Sequence, residues 1–317
     1  MKVGLIGGTG YVGSYIIDEL IASGHKPRLL VRPGSESKVL CPNDCEQVIG
    51  LLEDEEALRE VLTGCDAVIF LVAVIREFPK EGITNDILQF QGAERVAKVA
   101  TNLKIKRFLL MSALGANGET GSSKYFIAKH LSEQIIKNTD LEWTIFRPSS
   151  VFGDPRGQGR PEFCSELKES MLNLVPFPSF LPFPAPSFFT GVNPFDSGQF
   201  SLSLVHSKDL AKIIVHTLDD KSTIGETLEI GGKDISWDDI IKSIAEASEK
   251  KIIMTPAPFF VVWLVALVFD RFKWFPATRD QLQDLVNGNT CNSVKLFKKY
   301  GIDPIPFNLS NLNYLNK

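Results

Sequence analysis

Three side chains in this 317-residue chain have the types and spacing for proton transfer at a carbonyl or hydroxyl group: Ser112, Tyr125 and Lys129. Tyr125 and Lys129 stand four residues apart, so a helix over 125–137 places them on one face. A tyrosine exchanges a proton with substrate only if its pKa falls toward neutrality. A lysine ammonium beside it lowers that pKa electrostatically and can also hold the ribose of a nicotinamide. Ser112, 13 residues before the tyrosine, supplies a hydroxyl that can orient the substrate oxygen. Tyr-x-x-x-Lys also arises by chance, as a surface pair on an amphipathic helix. Its meaning therefore rests on the elements that carry it.

The strongest of those elements is at the start of the chain. A short apolar run, Val3 to Ile6, leads into Gly7, Gly10 and Gly13, and a helical pattern begins at once. Gly7 permits a tight turn, Gly10 lets backbone approach a pyrophosphate, and Gly13 lets the helix sit close on the strand. The unpaired amides and positive dipole end of that helix face the phosphates. Thr9, Tyr11 and Val12 border the same turn and join the expected dinucleotide site. Arg32 stands 19 residues after Gly13, where an acidic residue commonly meets the ribose 2′-hydroxyl. An arginine there can pair with a 2′-phosphate, so NADP(H) is expected and NAD(H) is the alternative. Leu71, Val72 and Ala73 close the fourth strand at the cofactor crevice, and Leu51-Leu52 follow the third.

Strands are expected at 27–32, 45–51, 67–74, 107–112 and 143–146, alternating with helices at 54–62, 84–103 and 125–137. That alternation means an α/β fold with a Rossmann-type, doubly wound parallel sheet. Residues 175–195 are crowded with proline and phenylalanine and lack periodicity, which predicts a long ordered loop or lid. Strands at 203–206 and 227–230 flank a helix at 207–218, and Ser236 with Asp239 caps a further helix. The remainder reads as mostly helical, with proline breaks at Pro256, Pro258 and Pro276. The expected division is a dinucleotide-binding domain over 1–155, to which 200–235 returns. The segments 156–199 and 236–317 then form a smaller, mostly helical lobe.

A net charge of −4 argues against nucleic acid as a partner. Five scattered cysteines read as reduced thiols in a cytoplasmic protein, and Cys41-x3-Cys45 lacks the second ligand pair of a zinc site. No secretory leader is expected, because the first strand lies where its charged region would be. The apolar run from Pro258 to Phe269 is too short to span a bilayer, which takes about 20 residues. It is expected to form a mostly buried helix. The alternative is peripheral membrane contact through residues 259–275, with Arg271 and Lys273 at the edge.

At this point the chain resembles the short-chain dehydrogenase/reductase superfamily in its extended or atypical branch. More narrowly, it is similar to the group containing the NADPH-binding accessory subunit of respiratory complex I and its bacterial relatives. The likeness rests on Gly7-Gly-Thr-Gly-Tyr-Val-Gly13, Met111-Ser-Ala-Leu-Gly-Ala116, Tyr125-x-x-x-Lys129 and Trp143-Thr-Ile-Phe-Arg-Pro-Ser-Ser-Val-Phe-Gly153. Val205-His-Ser-Lys-Asp-Leu-Ala211, the Gly225–Gly232 stretch and Thr278-Arg-Asp-Gln281 extend it over nearly the whole chain. The resemblance implies that Gly7, Gly10, Gly13 and Arg32 hold the dinucleotide and Lys129 the nicotinamide ribose. It also implies that Pro148, Ser149, Ser150 and Val151 lie against the nicotinamide, with Tyr125 as acid/base and Ser112 beside it. Two positions depart from the pattern. Leu51 stands where an aspartate commonly follows Gly50, and Gln89 where the fourth helix commonly has asparagine.

Three functions compete on this reading. The first is NADP(H)-dependent oxidation or reduction of a small apolar alcohol or carbonyl. The second is a non-catalytic dinucleotide-binding subunit, structural or in assembly, of a membrane-associated complex. The third, a sugar-nucleotide epimerase, is disfavoured because 155–200 offers Arg156 and Arg160 but few other polar groups for a diphosphate sugar.

Overall fold

The computed structural model describes residues 1–74, 76–119, 123–173, 181–191, 193–269, 279–286 and 288–316. The chain first lays down six strands and four helices in alternation. These are β1 (Lys2–Ile6), α1 (Tyr11–Ala22), β2 (Lys26–Val31), β3 (Glu46–Ile49), α2 (Glu55–Leu62), β4 (Ala67–Phe70), α3 (Gln91–Asn102), β5 (Arg107–Met111), α4 (Lys124–Lys137) and β6 (Glu142–Pro148). It continues through β7 (Val151–Phe152), α5 (Phe163–Leu167), β8 (Phe183–Phe189), β9 (Ser201–Leu202), β10 (Val205–His206), α6 (Ser207–His216) and β11 (Glu226–Ile230). The last elements are β12 (Ile235–Ser236), α7 (Trp237–Ala247), β13 (Ile252–Pro258), α8 (Phe259–Phe269), α9 (Arg279–Val286) and α10 (Val294–Lys299).

The main sheet has seven strands in the order β11-β6-β5-β4-β1-β2-β3, every neighbouring pair parallel. The order reverses between β1 and β4, the switch point at which doubly wound sheets open a crevice beyond their strand ends. Every residue of β4 and β5 is buried, as the unbroken apolar runs 67–70 and 108–111 require of strands covered on both faces. Ile16 and Leu20 of α1 pack with Leu210 and Ile213 of α6 in one core cluster. Leu58 of α2, Val96 of α3 and Ile136 of α4 pack in the other. The expected helix over 84–103 is present but begins with one π turn, Asp86–Phe90.

The later part of the chain differs from its sequence reading in two places. Within the stretch expected to be a loop or lid, Phe183–Phe189 forms β8, paired in parallel with β13, which itself replaces the expected proline break near Pro256. Residues 175–180 and 192 of that stretch lie outside the described residues. Prolines are compatible with this ribbon because each strand bonds a neighbour on one side only. Pro184 and Pro186, like Pro256 and Pro258, alternate with the residues that donate. Trp237 of α7 fastens the ribbon by donating from its indole N–H to the Pro186 carbonyl at 3.0 Å. Its ring stacks on Phe200 at 5.3 Å. Ser236 caps α7 as expected, accepting from the Asp239 amide.

The second difference is α8. It is helical, but it is not mostly buried. Phe259 and Ala266 are buried and Val262 and Trp263 pack partly on the lobe's core, whereas Phe260 is 63% exposed and Leu264 50%. The covered positions follow the i, i+3, i+4, i+7 stripe. The lobe's core covers that one stripe, and the apolar side chains on the other faces point outward. Residues 270–278, with Arg271 and Lys273, lie outside the described residues. No described helix is long and apolar enough to cross a membrane.

Candidate functional site

The glycine turn after β1 has the geometry its spacing predicts. Gly7 takes φ +96°, a conformation open to glycine. A Cβ on Gly13 would lie 2.5 Å from the Gly7 carbonyl oxygen, so α1 reaches its place only without a side chain there. Gly10 is exposed and caps α1 with no side-chain hydrogen bond. The first-turn amides of Tyr11, Val12 and Gly13 therefore have no side-chain acceptor and suit an anion. Tyr11 offers only that amide, because its ring is buried edge-on against Tyr15 at 5.9 Å. Thr9 is half-buried, and its carbonyl accepts from Arg160 Nε at 3.1 Å.

Arg32 follows β2 directly. It is exposed, and its side chain has no hydrogen bond or ion pair among the described residues. Leu51 is exposed just beyond β3, while Leu52 turns inward and packs on Gly92. Leu71 leaves β4 beside the turn, and its Cβ lies 3.2 Å from where a Gly7 side chain would begin. Val72 is half-buried and Ala73 exposed. Pro148 and Ser149 are buried at the end of β6, whereas Ser150 and Val151 are half-buried beyond it. These residues all sit at carboxyl ends of the central strands.

Lys129 is also there. Its Nζ donates to the Met111 carbonyl at 2.7 Å and the Val72 carbonyl at 3.1 Å, at the exits of β5 and β4. It lies 5.9 Å from the Tyr125 ring centroid. Burial pushes the ammonium down to about 7, partly offset by the Glu133 carboxylate. Tyr125 departs from expectation. Burial pushes its hydroxyl up to about 12, and the Asp284 carboxylate of α9 pushes the same way. The lysine is thus near the ring without lowering the tyrosine toward neutrality. A hydroxyl in this environment stays protonated at neutral pH, so the expected lowering, which use as a base requires, is not found, and the group is left to act as a proton donor.

Ser112 is buried, and its Oγ donates to Glu133 Oε1 at 2.5 Å. Glu133 also accepts from Arg147 Nε at 2.8 Å and Nη2 at 2.7 Å. Burial would raise that carboxyl, but bonds from Arg147 and Ser112 hold it below the usual range. Glu133 and Arg147 were not among the sequence candidates. The spacing held a signal, since Tyr125, Lys129 and Glu133 recur every four residues and share one helix face. Asn289 was also missed. Its Nδ2 donates to the Leu114 carbonyl at 2.7 Å, and its own carbonyl accepts from Ser149 Oγ at 2.9 Å. A cleft of about 560 Å³ lies beside it, lined by Leu114, Gly115, Phe200, Ser201 and Asp234 among others.

The family model described as NAD(P)H-binding matches residues 7–169, from the first glycine of the turn to beyond the strand-end residues just described. The chain belongs to the NAD(P)H-binding family. It is 22% identical over 317 residues to the 40 kDa subunit of mitochondrial NADH-ubiquinone oxidoreductase of Neurospora crassa, covering 98% of this chain and 77% of that one. It is 24% identical over 304 residues to a decarboxylating sterol-4-alpha-carboxylate 3-dehydrogenase of Dictyostelium discoideum, covering 86% of each. The structure of a Thermus thermophilus UDP-glucose 4-epimerase in complex with NAD superposes with a TM-score of 0.72 at 16% identity, covering all of this chain and 98% of that one. That likeness shows the shared fold. The relatives as a set are those of the atypical short-chain dehydrogenase/reductase superfamily. The glycine turn, its uncapped helix and the strand exits fit a nicotinamide dinucleotide, and among these family members the open amides of α1 would meet its pyrophosphate.

Proposed function

We propose that the protein is an NADP(H)-dependent oxidoreductase that reduces the carbonyl group of a small apolar molecule. The observation that carries this reading is the anchoring of Lys129 on the exits of β4 and β5, with Tyr125 one helical turn before it. The nicotinamide supplies the hydride when bound. Tyr125 donates the proton from its hydroxyl to the carbonyl oxygen. As an ammonium Lys129 has three donors and uses two on backbone, leaving one for a ribose hydroxyl. Ser112 keeps its hydroxyl on Glu133, so its role is to position the strand end through that carboxylate. The protonated tyrosine favours reduction over oxidation. The dehydrogenase likeness supports an apolar substrate. Mixing the protein with NADPH and a panel of apolar ketones, and following loss of nicotinamide absorbance, tests the reading directly. Background rates across the panel would overturn it.

The preference for NADP(H) is supported by Arg32, exposed beyond β2 and unpaired among the described residues. Arg32→Ala is expected to weaken NADPH binding by roughly 1.5–3 kcal/mol, the worth of a charge-assisted hydrogen bond. NADH affinity should barely change. Calorimetry with both cofactors checks this, and equal loss for the two would make Arg32 structural.

A second reading is a dinucleotide-binding subunit of a membrane-associated assembly, supported by the outward apolar face of α8 and the complex I likeness. There the cofactor stabilises the fold because it binds only the native state. The helix has 11 residues and is about 16 Å long, so it would lie in one leaflet's surface. The wild type is expected to float with phosphatidylcholine–phosphatidylglycerol vesicles. The double variant Phe260→Glu, Leu264→Glu, altered only at exposed positions, should stay at the bottom of the gradient with an unchanged fold. Wild-type protein that never floats removes the membrane contact.

A further inference from the structure

The segment between β7 and α5 leaves the lobe and closes on the glycine turn through two arginines that differ in how their charge is met. Arg156 is balanced: its Nη1 donates to Asp18 Oδ2 at 2.5 Å, and its guanidinium lies 3.6 Å from the Tyr15 ring. Tyr15 in turn donates to the Asp154 carbonyl at 2.8 Å, so residues 154–156 are fastened to α1.

Arg160 is 6% exposed and has no carboxylate partner among the described residues. Its Nε donates to the Thr9 carbonyl at 3.1 Å and its Nη1 to the Pro155 carbonyl at 3.4 Å. Nη1 also donates to the Arg156 carbonyl, and Nη2 to the Lys38 carbonyl. Four of its five N–H groups are thereby used, and one on Nη2 remains. Carbonyl oxygens satisfy hydrogen bonds, but they do not neutralise a cation. A guanidinium removed from water normally meets an anion. The neighbouring side chains add positive charge. Lys38 Nζ lies 3.4 Å from the Gly159 carbonyl, and Arg156 pushes the Arg160 guanidinium down together with burial.

Its position says which anion it would meet. Thr9 belongs to the glycine turn, and Lys38 closes the 3-10 turn Glu36–Lys38 a few residues after Arg32. Arg160 therefore bridges the two walls between which the adenosine ribose of a dinucleotide lies, with the 2′ position at the exit of β2. The pyrophosphate belongs instead to the first turn of α1.

We infer that Arg160 is a specificity-determining residue, joining Arg32 and Lys38 in a three-cation site for a 2′-phosphate on adenosine, and that residues 153–160 form a strap tightened by that phosphate. The inference rests on the NADP(H) reading. Its test uses the full-length protein, with adenosine 2′,5′-bisphosphate and 5′-AMP as calorimetric probes. Arg160→Met should lower affinity for the bisphosphate about tenfold or more, as loss of one charge-assisted bond implies, and 5′-AMP affinity less than about twofold. Arg160→Lys keeps the charge but cannot staple four carbonyls, and should retain most of the preference. Hydrogen exchange on the wild type, which needs no variant to fold, should show amides 153–160 protected by the bisphosphate and not by 5′-AMP. Equal loss for both probes, a lysine variant as poor as methionine, or a strap indifferent to the bisphosphate would overturn the inference alone. Wild-type protein that binds both probes alike would overturn the NADP(H) reading and the inference with it.

Discussion

Replacing Glu133 by alanine is expected to destabilise the protein by about 3–5 kcal/mol, the cost of leaving a buried charge without its partner. Glu133 has no exposed side-chain area, and Arg147 is only 19% exposed. Removing the carboxylate leaves Arg147 with the Ala116 carbonyl at 2.7 Å as its remaining strong acceptor, and leaves the Ser112 hydroxyl without one. Three elements are joined through this one side chain: the exit of β5, the middle of α4 and the end of β6. The effect should be read by urea unfolding at pH 7. The sign with pH follows from the direction of the shift. A carboxyl held below its usual value contributes stability above the ordinary glutamate range and loses it as acid protonates the folded form. Glu133→Gln should accordingly flatten the loss of stability below about pH 4.3, the ordinary glutamate value. A loss under 1 kcal/mol in Glu133→Ala would show that water reaches Arg147 and that the cluster holds little together.

Tyr125→Phe removes one oxygen and leaves the ring. If the carbonyl-reductase reading is right, turnover should fall by about 10²–10⁴-fold, the usual worth of a positioned general acid. Cofactor affinity should stay nearly constant, because the ring and Lys129 remain. Burial and the Asp284 carboxylate push the hydroxyl up to about 12, so the proton is present throughout the neutral range. Reduction should therefore show no tyrosine ionisation from pH 6 to 9, roughly, any dependence there coming from Lys129, which burial pushes down to about 7, while the reverse oxidation should rise steeply with alkali. Steady-state rates in both directions, for wild type and variant, decide the matter. An unchanged rate in Tyr125→Phe would move the protein to the binding-subunit reading, in which no group need transfer a proton.

What the sequence determined was whatever depends on near neighbours along the chain. The Gly7–Gly13 spacing is local sterics: one positive φ and one missing Cβ settle the turn whatever packs around it. The continuous apolar runs at 67–70 and 108–111 fit strands covered on both faces. The four-residue interval from Tyr125 to Lys129 places both on one helix face by helical geometry alone. The tertiary structure decided the rest, because each remaining question concerns what lies across a gap in space. The proline-rich stretch 183–189 becomes a strand only because β13, some 70 residues later, gives it a partner on one side. Which stripe of α8 is covered depends on the core it meets, which periodicity cannot reveal in a helix apolar on every face. The state of Tyr125 is set by burial and by Asp284, and the hydroxyl of Ser112 is claimed by Glu133. The charge of Arg160 acquires meaning only where Thr9 and Lys38 meet, 151 and 122 residues away along the chain. Desolvation and charge pairing act through distance in space, and no spacing along the chain encodes them.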